Sequence, residues 1–134
     1  MGPQDLAVLG LAAGNGVADG GGKTGVGSAV LGLPGNPVST FVNFEILAKA
    51  VLARLRGLRY DPTLVPARLG REVRRGSADR VEFLPARLEA GEVNPVRYGG
   101  SSMLSALAEA NALLRMEIGQ YVLEGGAEIL VRLV

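Results

Sequence analysis

Hydrophobic and polar positions fall into two regimes along the chain. Between Val38 and Arg56, Phe41, Phe44, Ala48, Val51, Leu52 and Leu55 recur at three- and four-residue spacing, giving one apolar stripe of helical period. Asn43, Glu45, Lys49, Arg54 and Arg56 fall largely away from that stripe, and Glu45 with Lys49 makes a favourable i,i+4 pair. The pattern predicts a helix over 38–56, with Gly57 as the left-handed residue beyond its last turn. Just upstream, Ser28 to Leu33 is a short apolar run without alternation, as expected of a strand buried on both faces, and Pro34 ends it. Strand, tight Gly/Pro loop and helix together make half of a βαβ unit.

Beyond Tyr60-Asp61-Pro62 the pattern shortens. Leu64 to Val73 and Val81 to Leu88 mix apolar and charged positions as strands do, and Ala90-Gly91-Glu92 turns the chain before a strand over Val93 to Tyr98. Met103 to Ala110 is a short amphipathic helix, and Ala112 to Met116 and Ala127 to Val134 read as strands. At the other end, Pro3 and Asp5 suit the first turn of a helix over 3–13, which Gly14-Asn15-Gly16 stops. Residues 14–27 are glycine-dense and read as a loop. The chain therefore divides near residue 58 into an α/β piece, 1–58, and a mainly β piece, 59–134.

Composition narrows the chemistry. A length of 134 residues fits one domain or two very small ones, and 48% hydrophobic residues suffice for a buried core. With three Phe, three Tyr and no Trp, that core is built from Leu, Val and Ala. A net charge of +1, with signs interspersed, exerts no long-range pull on nucleic acid or on anionic membranes. The run Arg68, Arg71, Arg74 and Arg75, interrupted by Glu72, reads as a solvated strand face or as a local anion site. Cysteine and histidine are both absent, which removes disulfides, thiolate nucleophiles, the usual zinc sites and histidine triads. No charged n-region followed by an h-region opens the chain, and no apolar run reaches the roughly 20 residues of a membrane span, so a soluble cytoplasmic protein is expected.

Three features could carry chemistry. Gly32-Leu33-Pro34-Gly35-Asn36-Pro37-Val38-Ser39 joins the expected strand to the expected helix. Backbone N–H groups and the positive helix end then lie at the strand's carboxyl edge, where open α/β sheets bind ligands. Pro34 and Pro37 fix φ, Gly35 permits close approach, and Asn36 or Ser39 can cap the helix. A rigid turn without a ligand is the alternative reading. Gly20-Gly21-Gly22-Lys23-Thr24-Gly25 has the look of a phosphate-binding loop. It lacks the first glycine of that pattern, whose place Val17 takes, and reads better as a glycine-rich connector. Glu82, Glu89, Glu92, Glu117, Glu124 and Glu128 form no closely spaced cluster that would hold a divalent ion.

The octet Gly-Leu-Pro-Gly-Asn-Pro-Val-Ser, followed by Thr-Phe-Val-Asn-Phe-Glu, resembles the signature of the molybdopterin molybdenumtransferases, the family that includes the E domain of gephyrin. Arg80-Val81-Glu82-Phe83, the stretch from Gly100 to Asn111 and the ending Gly126 to Val131 are similar to that family's C-terminal β domain. The resemblance covers about residues 28–134. It implies a strand–loop–helix remnant of a three-layer α/β domain followed by a small mainly-β C-terminal domain. It also implies a transferase that inserts molybdate into adenylylated molybdopterin with Mg²⁺, releasing AMP, from a cleft at the interface of a homodimer.

Carried over by motif position, Pro34 and Pro37 shape the cleft floor, and Gly35, Asn36 and Ser39 supply polar contacts. Arg80 and Ser101 match positions implicated in binding the anionic ligand. Read alone, Arg80 is equally a solvent-exposed strand residue and Ser101 a cap for the helix over 103–110. The family's acidic metal and nucleotide residues lie upstream of the octet and have no counterpart here, and Lys23 is only a distant match to its Lys-Pro-Gly-Lys-Pro segment. Residues 3–13 resemble a helix near the family's N-terminal region. The expectation is thus an internally shortened or truncated chain that does not insert molybdate alone. It binds the pterin weakly or serves as a non-catalytic module for dimerisation or for docking on a related full-length protein.

Overall fold

The computed structural model describes residues 31–97 and 103–134. The helix expected over 3–13, the connector with Lys23, the first half of the strand expected over 28–33, and Ser101 lie outside the described residues. Leu31 to Leu33 leads into the octet without joining a strand. α1 (Pro37–Asn43), a widened π-type turn (Phe44–Ala48) and α2 (Lys49–Leu55) follow one another without a break. The strands are β1 (Leu64–Leu69), β2 (Val73–Arg74), β3 (Glu82–Glu89), β4 (Glu92–Pro95), β5 (Ala112–Met116), β6 (Val122–Leu123) and β7 (Glu128–Leu133), with α3 (Met103–Glu109) between β4 and β5.

Five strands close into a barrel in the order β1-β4-β3-β5-β7, and β2 pairs with β6 in a separate ribbon. β1 meets β4 in parallel, Leu69 beside Val93, and runs antiparallel to β7 from Leu64↔Arg132 to Arg68↔Glu128. The remaining barrel pairs are antiparallel. Alternation along each strand sends Ala67, Leu69, Ala86, Val93, Ala112, Leu114, Met116 and Val131 into the interior, where Leu123 of β6 joins them. A five-stranded barrel has a narrow lumen, so alanines face leucines and valines there and no aromatic residue is needed.

The β3–β4 hairpin turns at Ala90 and Gly91, whose φ values are +49° and +81°. Two successive positive φ values are those of the type I′ loop, whose twist matches the flanking strands. The strand expected over Leu64 to Val73 is broken at Gly70 to Glu72 into β1 and β2, and the strand expected to reach Tyr98 ends at Pro95. The two-residue strand β6 carries too little periodicity to be read from sequence.

Helical order over Pro37–Leu55 follows the expectation, but the buried face does not. The residues buried are Val38, Ser39, Val42, Asn43, Glu45 and Ala48, and none in α2. Phe44, Leu52 and Leu55 of the expected stripe are 41%, 51% and 65% exposed. The widened turn holds one more residue than an α-turn, so it rotates the downstream face away from the upstream one. The first half of the helix packs on α3 and β3. Leu113 and Pro85, which the strand alternation points out of the barrel, are nevertheless fully buried.

The same turn supplies the joint to the barrel. The Lys49 N–H bonds to the Phe44 carbonyl rather than to that of Glu45. The Glu45 carbonyl is thereby left to accept from Arg132 Nη2 and, at 3.5 Å, from the Tyr60 hydroxyl. Arg132 also donates to the Tyr60 hydroxyl at 2.9 Å and lies 5.5 Å from the centroid of its ring.

Candidate functional site

The octet forms one tightly specified turn. Asn36 precedes the helix with extended backbone, φ −71° and ψ 125°, and its Oδ1 accepts from the N–H groups of Val38 and Ser39 at 3.0 and 3.2 Å. Pro37 takes the first helical position, where a missing N–H costs nothing. The Thr40 hydroxyl donates to the Pro34 carbonyl, and the Thr40 N–H reaches the Asn36 carbonyl at 2.8 Å. Gly35, Asn36 and Pro37 are exposed, Pro34 is half-buried, and the space around the Gly35 Cα is open. Ser39 is buried at 5% exposure, and its carbonyl accepts the Asn43 side-chain amide at 2.8 Å. Asn36 is therefore the cap, while Ser39 sits within the packed face of the helix.

Arg80 is on a different element, the approach to β3, and is half-buried. The segment that carries it is held by a member of the arginine run that the sequence did not single out. Arg75 has a side chain only 8% exposed. Its Nε donates to the Gln120 carbonyl at 2.8 Å, its Nη1 to the Arg80 carbonyl at 2.8 Å, and its Nη2 to the Glu117 carbonyl. The Glu82 carboxylate stands 3.5 Å from Nη1. Backbone bonds from Arg75 to Tyr121 at 3.0 Å and from Gly119 to Ala78 at 2.7 Å stitch the same two loops together.

The arginine run is thus not a uniform solvated face. Arg71 donates to the Pro95 carbonyl at 2.6 Å and Arg75 is internal, whereas Arg74 pairs with Glu72 in solvent. A neighbouring Gly76-Ser77 turn is the only sign of this in the sequence, and it does not distinguish Arg75 from Arg74.

Two carboxyls near this face are held below their usual range. Asp79 is lowered chiefly by the Ser77 hydroxyl, which donates at 2.6 Å, then by its own backbone N–H and by the charges of Arg80 and Arg75. Glu72 is lowered by the hydrogen bond from Arg74 and by its charge. Among the described residues, no group of three or more acidic side chains could hold a metal ion. Nor is any helix among them long and apolar enough to cross a membrane.

The barrel coincides almost entirely with a known sequence family: the model described as the MoeA C-terminal region (domain IV) matches residues 66–134. The chain belongs to this family. Solved structures extend the likeness upstream of the barrel. The crystal structure of the molybdopterin biosynthesis MoeA protein from Pyrococcus horikoshii OT3 is 29% identical, with a TM-score of 0.71 over 81% of this chain and 28% of that one. Another Pyrococcus horikoshii MoeA structure is 30% identical, with a TM-score of 0.69 over 81% of this chain and 27% of its own. A molybdenum cofactor biosynthesis protein from Pyrococcus furiosus is 26% identical, with a TM-score of 0.69 over 79% of this chain and 38% of its own. No curated protein matches the chain. This member of the MoeA C-terminal family therefore spans well under half the length of the solved relatives it matches.

Proposed function

We propose that the chain acts in molybdenum cofactor biosynthesis as the ligand-cradling C-terminal part of a molybdopterin molybdenumtransferase. The observation that supports this most directly is the octet turn. Its Asn36 side chain and Thr40 hydroxyl are engaged internally, so Gly35, Asn36 and Pro37 are held exposed in one conformation before any ligand arrives. Such ordering in advance reduces the entropy lost on binding. In this reading Pro34 and Pro37 shape the floor of the cleft, and Gly35 lets the backbone of the turn approach the pterin. Arg80 offers its guanidinium fork to the phosphate of adenylylated molybdopterin, with Ser101 as a further hydroxyl donor. Ser39 acts by fixing the helix beneath the turn rather than by direct contact, as its burial requires.

Mg²⁺, which would offset charge on phosphate and molybdate, is held in this reading by carboxylates outside the chain. The chain therefore binds the pterin without inserting molybdate. Reconstitution with adenylylated molybdopterin, molybdate and Mg²⁺ tests this: binding without AMP release is expected, and sustained turnover would refute it.

A second reading rests on the exposed apolar residues Phe44, Leu52 and Leu55 of the helix and Leu58 just beyond it. A patch of this kind marks an association surface, either for a homodimer or for docking on a related full-length protein. Sizing across a dilution series distinguishes it, because a stable monomer at every concentration argues against self-association.

A further inference from the structure

The geometry points to Arg75 as a positioning residue that sets Arg80 against the ligand by locking two loops of the barrel rim into one body. The inference rests on the reading of Arg80 as the anion-binding arginine. Arg75 lies between the loop 76–81, which carries Arg80, and the loop 117–121, which joins β5 to β6. Its planar fork reaches one carbonyl in the first loop, that of Arg80, and two in the second, those of Glu117 and Gln120. The bond from Gly119 to Ala78 closes the same contact from the backbone side.

A guanidinium presents its donors in fixed, divergent directions and can satisfy three separate carbonyls at once. A lysine ammonium at this place keeps the charge but is a compact point on a flexible stem. The bond to the Arg80 carbonyl matters most, because it fixes the backbone from which the Arg80 side chain departs. Glu82, the carboxylate nearest the Arg75 head, is the first residue of β3, so the barrel itself is the reference frame. The Arg75 side chain is only 8% exposed and its fork is taken up by three carbonyls, which separates positioning from contact.

The test is a double-mutant cycle on the whole chain with adenylylated molybdopterin as probe, using Arg75→Lys because Arg75→Ala endangers folding. Loss of one charged hydrogen-bond donor weakens affinity about tenfold to a hundredfold, and R80A is expected to do so. R75K is expected to lose a comparable factor, and the double variant R75K/R80A to bind no worse than R80A alone, since both changes remove one interaction. In the free protein, R75K should speed amide exchange at Gly119 and at position 75 by roughly tenfold or more while Leu114 and Val131 keep their protection.

Additive losses, or R75K binding like the parent while R80A is weakened, overturn the positioning role alone. Exchange that accelerates equally through the barrel also overturns it, because Arg75 is then only a stabiliser of the fold. An R80A variant that binds like the parent, or a parent chain that does not bind, removes the Arg80 reading and this inference with it.

Discussion

At Asn36 one side-chain oxygen accepts two backbone N–H groups that the first helical turn cannot satisfy internally. Asn36→Ala should therefore cost about 1 kcal/mol of stability, measured by urea unfolding, with Asn36→Asp close to neutral. Ser77 and Asp79 offer a second check. Because the folded carboxyl lies below its unfolded value, the hydrogen bond from Ser77 favours the folded state at neutral pH. That contribution is present above the ordinary aspartate value of about 3.9 and is lost as pH falls from there through the lowered folded value. Ser77→Ala should move the Asp79 titration, followed by carboxyl NMR, upward towards the ordinary range. It should also flatten the acid limb of the stability profile. An unchanged Asp79 titration would mean that Ser77 is not the main cause.

Turns and faces decide matters at the scale of elements. Ala90 holds a positive φ that an L-residue with a Cβ adopts only with strain, at the first position of a type I′ loop. Ala90→Gly should raise stability by about 0.5–1 kcal/mol despite the added freedom of the unfolded chain, and Gly91→Ala should lower it by at least as much. Thermal melting of the two variants checks both signs. Inside the barrel, Leu114 has no exposed surface and belongs to the core cluster, opposite Val131 of β7. Leu114→Ala should cost about 2–5 kcal/mol, since a closed barrel cannot collapse around the lost volume. The helix shows why a periodic stripe is not yet a buried face. Val38 and Val42 pack, but Leu52 and Leu55 do not, because the widened turn at Phe44–Ala48 separates the two halves in rotation.

Among the described residues, that unpacked half leaves Leu52 and Leu55 exposed to solvent. If it mediates self-association, Leu52→Ser with Leu55→Ser should weaken the association by at least about tenfold, since each leucine contributes about 1.5–3 kcal/mol when buried. The melting temperature of the dilute protein should stay put. Sedimentation across a concentration series reads both quantities. The sequence by itself determined the octet turn, the helix that follows it, the left-handed Gly57, the hairpin at Ala90-Gly91 and the strands Glu82–Glu89 and Ala112–Met116. These are local matters of period, capping and turn chemistry, and the resemblance at the octet pointed to the family that the match over residues 66–134 establishes. Only the tertiary structure decided that β1 lies parallel to β4 and closes on β7, because pairing between distant strands leaves no trace in the spacing of either one. It alone placed Asn43 and Glu45 in the buried face, where the stripe argued for solvent. Arg75 makes the point most directly. Its bonds reach carbonyls up to 45 residues away, and every backbone has carbonyls, so nothing in the neighbouring sequence marks which arginine will find them.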